Sequence, residues 1–255
     1  MATTERFLAF SCTHAPKEDP EAINWLLKKI EEHKPTTIVH LGDGLEADSA
    51  SRFPSEADWD LKTEFDSFNN TLYQVRNAAP DATCVFLEGN HDRNLLELNR
   101  IDKRLRGLCD WRDTKNVPEI ENWLTPTEYR YDRRKGCYRI GQVCFSHGYE
   151  ANASAGKHEA VYFCNEFGLY VHGHLHRTQP VTQVMMNPTR PLRYWYANPG
   201  TLAEMDRDYM SRKRKMMWGQ GIIVGEAQKL QSPRLKRCWD AHLEVFRKWD
   251  WQEGW

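Results

Sequence analysis

The sequence has no apolar run approaching the ~20 residues that a membrane-spanning helix requires, and no secretory-type apolar segment near Met1. It has no excess of either charge: 35 Lys and Arg stand against 36 Asp and Glu, for a net charge of -1. No whole-molecule electrostatic argument for a nucleic-acid or membrane partner follows from that balance. Its seven cysteines (12, 84, 109, 137, 144, 164 and 238) are odd in number and never in Cys-x-x-Cys spacing. That excludes a disulfide framework and a zinc knuckle and points to a reducing compartment, so a cytoplasmic location is expected. No internal repeat and no low-complexity linker interrupts the 255 residues, which read as a single domain over 1–255. What is present suffices for a core: 40% of the residues are hydrophobic, which is ample at this length.

Taken in order, the first half alternates strand and helix signals. Phe7–Phe10 is predicted as a strand that runs into Ser11-Cys12-Thr13-His14. Ala22–Glu32 is predicted helical, with Ile23, Leu26, Leu27 and Ile30 on one face. Thr36–Leu41 reads as a second strand, followed by Gly42-Asp43-Gly44, and Asp58–Ala79 as a second helix. Thr83–Leu87 is a third strand, after which a helix is expected over 94–108 and an insertion at about 110–126. Short strands are expected at 127–132, 136–140 and 142–145, a helix over 157–167, and a strand at 169–171. Later segments (180–186, 192–197, 216–224, 234–246) are β-type, and the region from about 200 to 255 ends in an aromatic tail. Alternation followed by mostly β signals predicts an α/β protein of two packed sheets with helices outside.

The chain is organised around Gly89-Asn90-His91-Asp92, which follows the third strand. The space beyond the carboxyl ends of strands is where α/β sheets bind ligands. Four more polar clusters stand at strand ends: Cys12-x-His14, Gly42-Asp43, His147-Gly148 and Gly173-His174-x-His176. Imidazole, carboxylate and amide oxygen suit divalent metals. Seven candidate ligands (Cys12, His14, Asp43, Asn90, His147, His174 and His176) exceed what one tetrahedral ion takes. They suit two ions ~3.5–4 Å apart sharing a carboxylate, the arrangement used for displacement at phosphorus.

This ordered set resembles the calcineurin-like metallophosphoesterases, whose pattern runs Asp-x-His, Gly-Asp-x-x-Asp, Gly-Asn-His-Asp/Glu, His, Gly-His-x-His. The resemblance spans residues 7–176 and extends weakly to Asn198-Pro199-Gly200-Thr201. It implies a four-layer α/β/β/α sandwich of two mixed sheets with a dinuclear site on strand-end loops. Carried over residue by residue, His14 and His176 would hold the first metal, Asp43 would bridge, and Asn90, His147 and His174 would hold the second. His91 would act on the phosphoryl group or leaving oxygen, oriented by Asp92, and a metal-activated hydroxide would attack a phosphate ester, monoester or diester. Two departures stand out. Cys12 replaces the first-motif Asp; as a thiolate it keeps the charge but favours zinc or iron over manganese or magnesium. Read instead as a buried structural cysteine, it leaves the first metal short of a ligand. Glu46 replaces the last Asp of the second motif, a supporting carboxylate, with Asp48 nearby as a substitute. The alternatives are a DNA exonuclease or endonuclease of the same fold, and a non-catalytic metal-binding scaffold, which Cys12 alone supports.

Other residues take blander readings. His40 and His172 lie within strands and read as core histidines, and His158, beside Lys157, as part of a solvated helix start. The basic run Arg212-Lys213-Arg214-Lys215, preceded by Arg207, offers a nucleic-acid contact. A solvated loop is the preferred reading, since Glu204, Asp206 and Asp208 partly neutralise it. Met216, Met217 and Trp218 read as a stacking surface or as sheet core, and Trp249, Trp251 and Trp255 as a cap on the sandwich or an oligomer contact.

Overall fold

The computed structural model describes residues 3–48, 60–164, 167–185, 193–205, 217–229 and 237–246. The basic run at 212–215, Arg207, Met216 and the aromatic tail therefore lie outside the described residues.

Three βα turns build the first sheet. Strand β1 (Thr4–Phe10) leads to helix α1 (Pro20–His33), β2 (Thr37–His40), α2 (Leu61–Ala78), β3 (Thr83–Phe86) and α3 (Asn90–Ile101). Then come β4 (Tyr138–Ile140), β5 (Val143–Ser146), α4 (Ala155–Phe163), β6 (Phe167–His172), β7 (Thr178–Met185), β8 (Arg193–Pro199), β9 (Gly221–Gln228) and β10 (Trp239–Val245). One sheet runs β10-β9-β1-β2-β3 and the other β4-β5-β6-β8-β7. Both are mixed: β1, β2 and β3 are parallel to one another and β9 antiparallel to β1, while β5, β6 and β8 are parallel between antiparallel β4 and β7.

The period of two along a strand explains the layering. Phe7 and Ala9 face the second sheet, where they join Val39, Val85, Phe145, Leu169 and Val171. Leu8 and Phe10 face the other way, onto Leu26, Ile30, Phe68 and Leu72 of α1 and α2. Strands covered on both faces read as continuous apolar runs, as these do. Helix α4 packs on the outer face of the second sheet through Ala160 and Phe163 against Tyr170 and Cys144. The result is the expected four-layer α/β/β/α order. Helix starts follow local chemistry: Asp19 accepts the Glu21 and Ala22 amides ahead of Pro20, and Asp60 accepts that of Thr63.

Several boundaries differ from expectation. Helix α3 begins at Asn90 rather than Asn94 and stops at Ile101, before a 3-10 turn at Lys103–Leu105. Helix α4 ends at Phe163, four residues early. Residues 127–132 form no strand; their alternating aromatics belong to a bent loop in which Asp132 accepts the Arg134 and Lys135 amides. The stretch 110–126 packs into the fold. Trp111 within it is fully buried against Phe86, and Leu124 hydrogen-bonds along β3, closing that edge of the sheet. Among the described residues no helix is long and apolar enough to cross a membrane.

Candidate metal centre

Parallel strands end at a common edge, so β1, β2 and β3 deliver Cys12 and His14, Asp43, and Asn90 and His91 to one place. From the second sheet, β5 delivers His147, and β6 delivers His174 and His176, to the same place. The ladder continues past the strands: the Cys12, His14 and Ala15 amides donate to the carbonyls of Gly42, Asp43 and Gly44 at 3.0, 3.0 and 2.8 Å. Cys12, His14, Asp43, His174 and His176 all take left-handed backbone, with φ between 52° and 66°. Such a conformation costs an L-residue ~1–2 kcal/mol, and strain of this kind collects at functional sites. Two glycines permit the closeness. A Cβ on Gly89 would lie 2.3 Å from Asp43 N and Oδ1, and one on Gly42 2.9 Å from His147 Nδ1.

The side chains form three overlapping donor sets, one of them His14, Glu46 and His91, which shares His14 with a larger set. Cys12, His14, Asp43 and His176 place one ligand atom each within 4.8 Å of one another, and so do Asp43, His147 and His174. Asp43 belongs to both of these, and each of the two draws on both sheets, whereas His14, Glu46 and His91 all come from the first. His14 Nε2 lies 3.0 Å from His176 Nε2, while its Nδ1 lies 2.8 Å from Glu46 Oε2. Glu46 is held in turn by Lys17 Nζ at 3.0 Å, which also reaches Asp48 at 3.1 Å. His147 Nδ1 meets the Leu41 carbonyl at 2.9 Å, and its Nε2 lies 3.1 Å from both Asn90 Oδ1 and Asp43 Oδ2.

The profile of the calcineurin-like phosphoesterases matches residues 5–178, more than half of the chain. The chain belongs to that family. No curated protein matches the sequence. Similar solved structures include Vps29 from Cryptosporidium parvum (12% identity, 96% of this chain and 99% of that one, TM-score 0.45). Others are the phosphoesterase YfcE from E. coli (13%, 88% and 93%, 0.42) and the nuclease MPE from Pseudomonas putida (12%, 86% and 83%, 0.41). Membership in this calcineurin-like family places the chain with phosphoesterase-type hydrolases.

Within this calcineurin-like site, charge and burial set the protonation states. Burial opposes ionisation of Asp43, but the imidazoles of His147, His91 and His14 outweigh it and hold the carboxyl well below its usual range. Burial, and then the charge of Asp43, pushes the Cys12 thiol far up. Burial also lowers His174, to about 4, and His14 despite Glu46 beside it. His91 moves upward: burial works against its cationic form, yet the Asp43 and Glu46 carboxylates prevail.

One expected interaction is corrected. Asp92 does not orient the ring of His91. It is fully buried, Oδ2 accepts the amides of Asp43 (2.9 Å) and Gly89 (2.8 Å), and Oδ1 accepts that of Leu45 (3.1 Å). At the third position of α3 its carboxylate closes onto the helix start and pins the loop that carries Asp43. His91 is held instead by the Glu46 carbonyl, 2.5 Å from Nδ1, and its own amide donates to Asp43 Oδ1 at 2.9 Å.

Around the centre, Asn198 donates to the Gly173 carbonyl at 2.7 Å, Ser11 to that of Gly200 at 2.8 Å, and Thr201 to that of Cys12 at 2.7 Å. The Asn-Pro-Gly-Thr turn thus braces both histidine-bearing loops. His40 is a core histidine: Nδ1 accepts the Gly42 amide, Nε2 meets Thr13, and burial holds its pKa at about 3. His172 is likewise buried, with its pKa at about 3. His158 is half-exposed and paired with Glu150. Sequence reasoning missed Glu88, whose side chain is fully buried and gathers Arg93, Arg112 and the Tyr129 amide beside Gly89. No motif marks it. Trp218, 4.4 Å from the ring of His176, lines the site rather than the sheet core.

Proposed function

We propose that the protein is a metal-dependent hydrolase of phosphate esters, holding one divalent cation on Cys12, His14, Asp43 and His176 and a second on Asp43, Asn90, His147 and His174. The observation that carries this reading is the sharing of Asp43 between two donor sets. The donor chemistry fits cations. With Nδ1–H of His147 on the Leu41 carbonyl, its Nε2 lone pair faces two oxygens, Asn90 Oδ1 and Asp43 Oδ2, at 3.1 Å. Acceptors crowded in this way need a proton or a metal between them. The Glu46 carboxylate, 2.8 Å from His14 Nδ1, likewise favours the proton on that nitrogen and leaves Nε2 facing His176. These are outer partners that fix a ligating tautomer. Cys12, protonated when bare, would shed its proton on binding, and as a soft ligand favours zinc or iron.

Bound there, two cations supply Lewis acidity toward the phosphoryl oxygens and a nucleophile at neutral pH. The rest falls to the chain. His91, its Nδ1–H on the Glu46 carbonyl, has Nε2 available for the leaving oxygen, and its raised pKa suits a proton donor. Water's oxygen joins phosphorus and gives up a proton to solvent, the ester P–O bond breaks, the leaving oxygen takes the proton from His91, and solvent returns one to the imidazole. Asp92 acts by position, through the amides it holds.

Hydrolysis of bis-p-nitrophenyl phosphate and p-nitrophenyl phosphate, with Mn, Fe, Zn, Ni or Mg added, tests the proposal alongside elemental analysis. Turnover with near two metals per chain supports it. Two metals with no turnover on any ester favours the scaffold reading, to which the replacement of Asp by Cys12 lends its one argument.

A further inference from the structure

Beyond the donor sets, the loop 127–136 combines features that the hydrolysis of a small ester does not use. Four cationic side chains, Arg130, Arg133, Arg134 and Lys135, stand exposed on it. Of its two carboxylates, Asp132 is committed to the Arg134 and Lys135 amides, and Glu128 lies 3.6 Å from Lys135. Between them run aromatic rings in contact with the metal centre. Tyr129 meets the ring of His147 edge-on at 5.7 Å and stacks on Tyr149 at 4.8 Å. Tyr149 meets Tyr131 at 5.4 Å, and Tyr131 is 44% exposed. Tyr131 stacks in turn on Tyr162 at 4.2 Å, and the Arg133 guanidinium lies over the Tyr162 ring at 4.9 Å, so the chain of rings begins at a candidate metal donor and ends at a partly exposed tyrosine pair that carries an arginine.

The loop is anchored to the site. Glu88, which directly precedes Gly89-Asn90, accepts the Tyr129 amide at 3.2 Å, and Tyr149 Oη accepts that of Arg130 at 3.1 Å. Glu128 and Lys135 close the loop through a backbone bond of 3.0 Å. A strip held this way keeps a fixed path to the metal donors.

Resting on the hydrolase reading above, we propose that the substrate is a single-stranded nucleic acid, its backbone tracked by Arg130, Arg133 and Arg134 and a base stacked on Tyr131, with the scissile phosphate at the metal centre. Interleaved cations and aromatic faces are the recognition chemistry of unpaired polynucleotides. A duplex hides its base faces, and a mononucleotide has no use for charge spread along a ten-residue loop. Cleavage there adds water across one P–O bond and leaves a phosphate terminus and a hydroxyl terminus.

The test is fluorescence anisotropy of the metal-loaded full chain with labelled oligothymidylate and oligouridylate, against a duplex of equal length and against heparin, a polyanion without bases. Single strands should bind more tightly than either. Tyr131→Ala should weaken single-strand binding roughly 5- to 150-fold, the range for loss of one stacked base. The double variant Arg133→Ala, Arg134→Ala should flatten the salt dependence by about one charge for each phosphate no longer neutralised. Equal binding of duplex or heparin, or full affinity in Tyr131→Ala, overturns the proposal. Turnover of bis-p-nitrophenyl phosphate without oligonucleotide binding refutes the strip and leaves the hydrolase standing. Binding without turnover of any ester does the reverse.

Discussion

Asp92→Ala removes three hydrogen bonds at once. In the parent, Oδ2 takes the amides of Asp43 and Gly89 at 2.9 and 2.8 Å, and Oδ1 that of Leu45 at 3.1 Å, all in a fully buried setting. Each buried donor left without a partner costs ~1–3 kcal/mol, which bounds the loss between ~3 and ~9 kcal/mol. The three amides surround one vacated volume, and a water entering it satisfies part of the set, so the expected loss is about 3–5 kcal/mol. The same change frees the loop that carries Asp43, and metal affinity should fall with stability. Urea unfolding of the metal-free proteins measures the first effect and elemental analysis the second. Asp92→Asn, which keeps one oxygen, should lose less than half as much. Activity per bound metal pair should stay near the parent value in Asp92→Asn, since His91 takes its orientation from the Glu46 carbonyl. An Asp92→Ala protein within ~1 kcal/mol of the parent but nearly devoid of turnover would refute this account and restore Asp92 as the orienting group for His91.

Cys12→Ala should lower the metal content from near two per chain toward one, and Cys12→Asp should shift metal preference toward manganese or magnesium; unchanged stoichiometry in Cys12→Ala would exclude a thiolate ligand. His91→Ala should keep its metals and lose most of kcat, measured on bis-p-nitrophenyl phosphate at saturating metal, and loss of both metals would assign the imidazole to binding instead. Glu64 of α2, with no exposed surface, accepts the Ala47 and Asp48 amides, and its pKa is pushed up to about 7 by burial first, then by Asp48 and Glu46. The folded state then holds this proton more tightly than the unfolded chain does. Stability should fall as pH rises from about 4.5 to 7, by roughly 3 kcal/mol, and Glu64→Gln should remove that slope from urea midpoints taken across the range.

The donor positions were legible in the sequence because each sits at a strand end beside a glycine or within a short motif of distinctive composition. Their backbone was not. Nothing in Cys12-Thr13-His14 announces a left-handed Cys12 or His14, a conformation imposed by the Gly42, Asp43 and Gly44 carbonyls alongside. Asn90 and His91 belong to the first turn of α3, four residues earlier than the apolar spacing of Leu95, Leu98 and Ile101 indicates, because a polar first turn carries no hydrophobic period. Tyr129 and Tyr131 alternate as strand residues do, yet backbone bonds to Glu88, Tyr149 and Lys135 bend the segment into a loop. Trp111 lies in a stretch too rich in charge to show its burial, and its indole donates to the Asp92 carbonyl beneath α3. Long-range packing of this kind leaves no local trace.

Under the proposed reading, the placement of the donors on both sheets bears on how the chain would acquire cations. Neither half of the sequence holds either of the two sets that share Asp43, for His14 and His176 are 162 residues apart and meet at 3.0 Å. A bound ion is therefore a cross-link between two layers, closing loops as long as those of a disulfide in a protein of this size, and it withdraws that freedom from the unfolded chain. Loading must follow the docking of β1 and β2 onto β5 and β6, and release requires those layers to part. Metal exchange in this protein should then keep time with the separation of its sheets rather than with the ligand lifetimes of free imidazole and carboxylate.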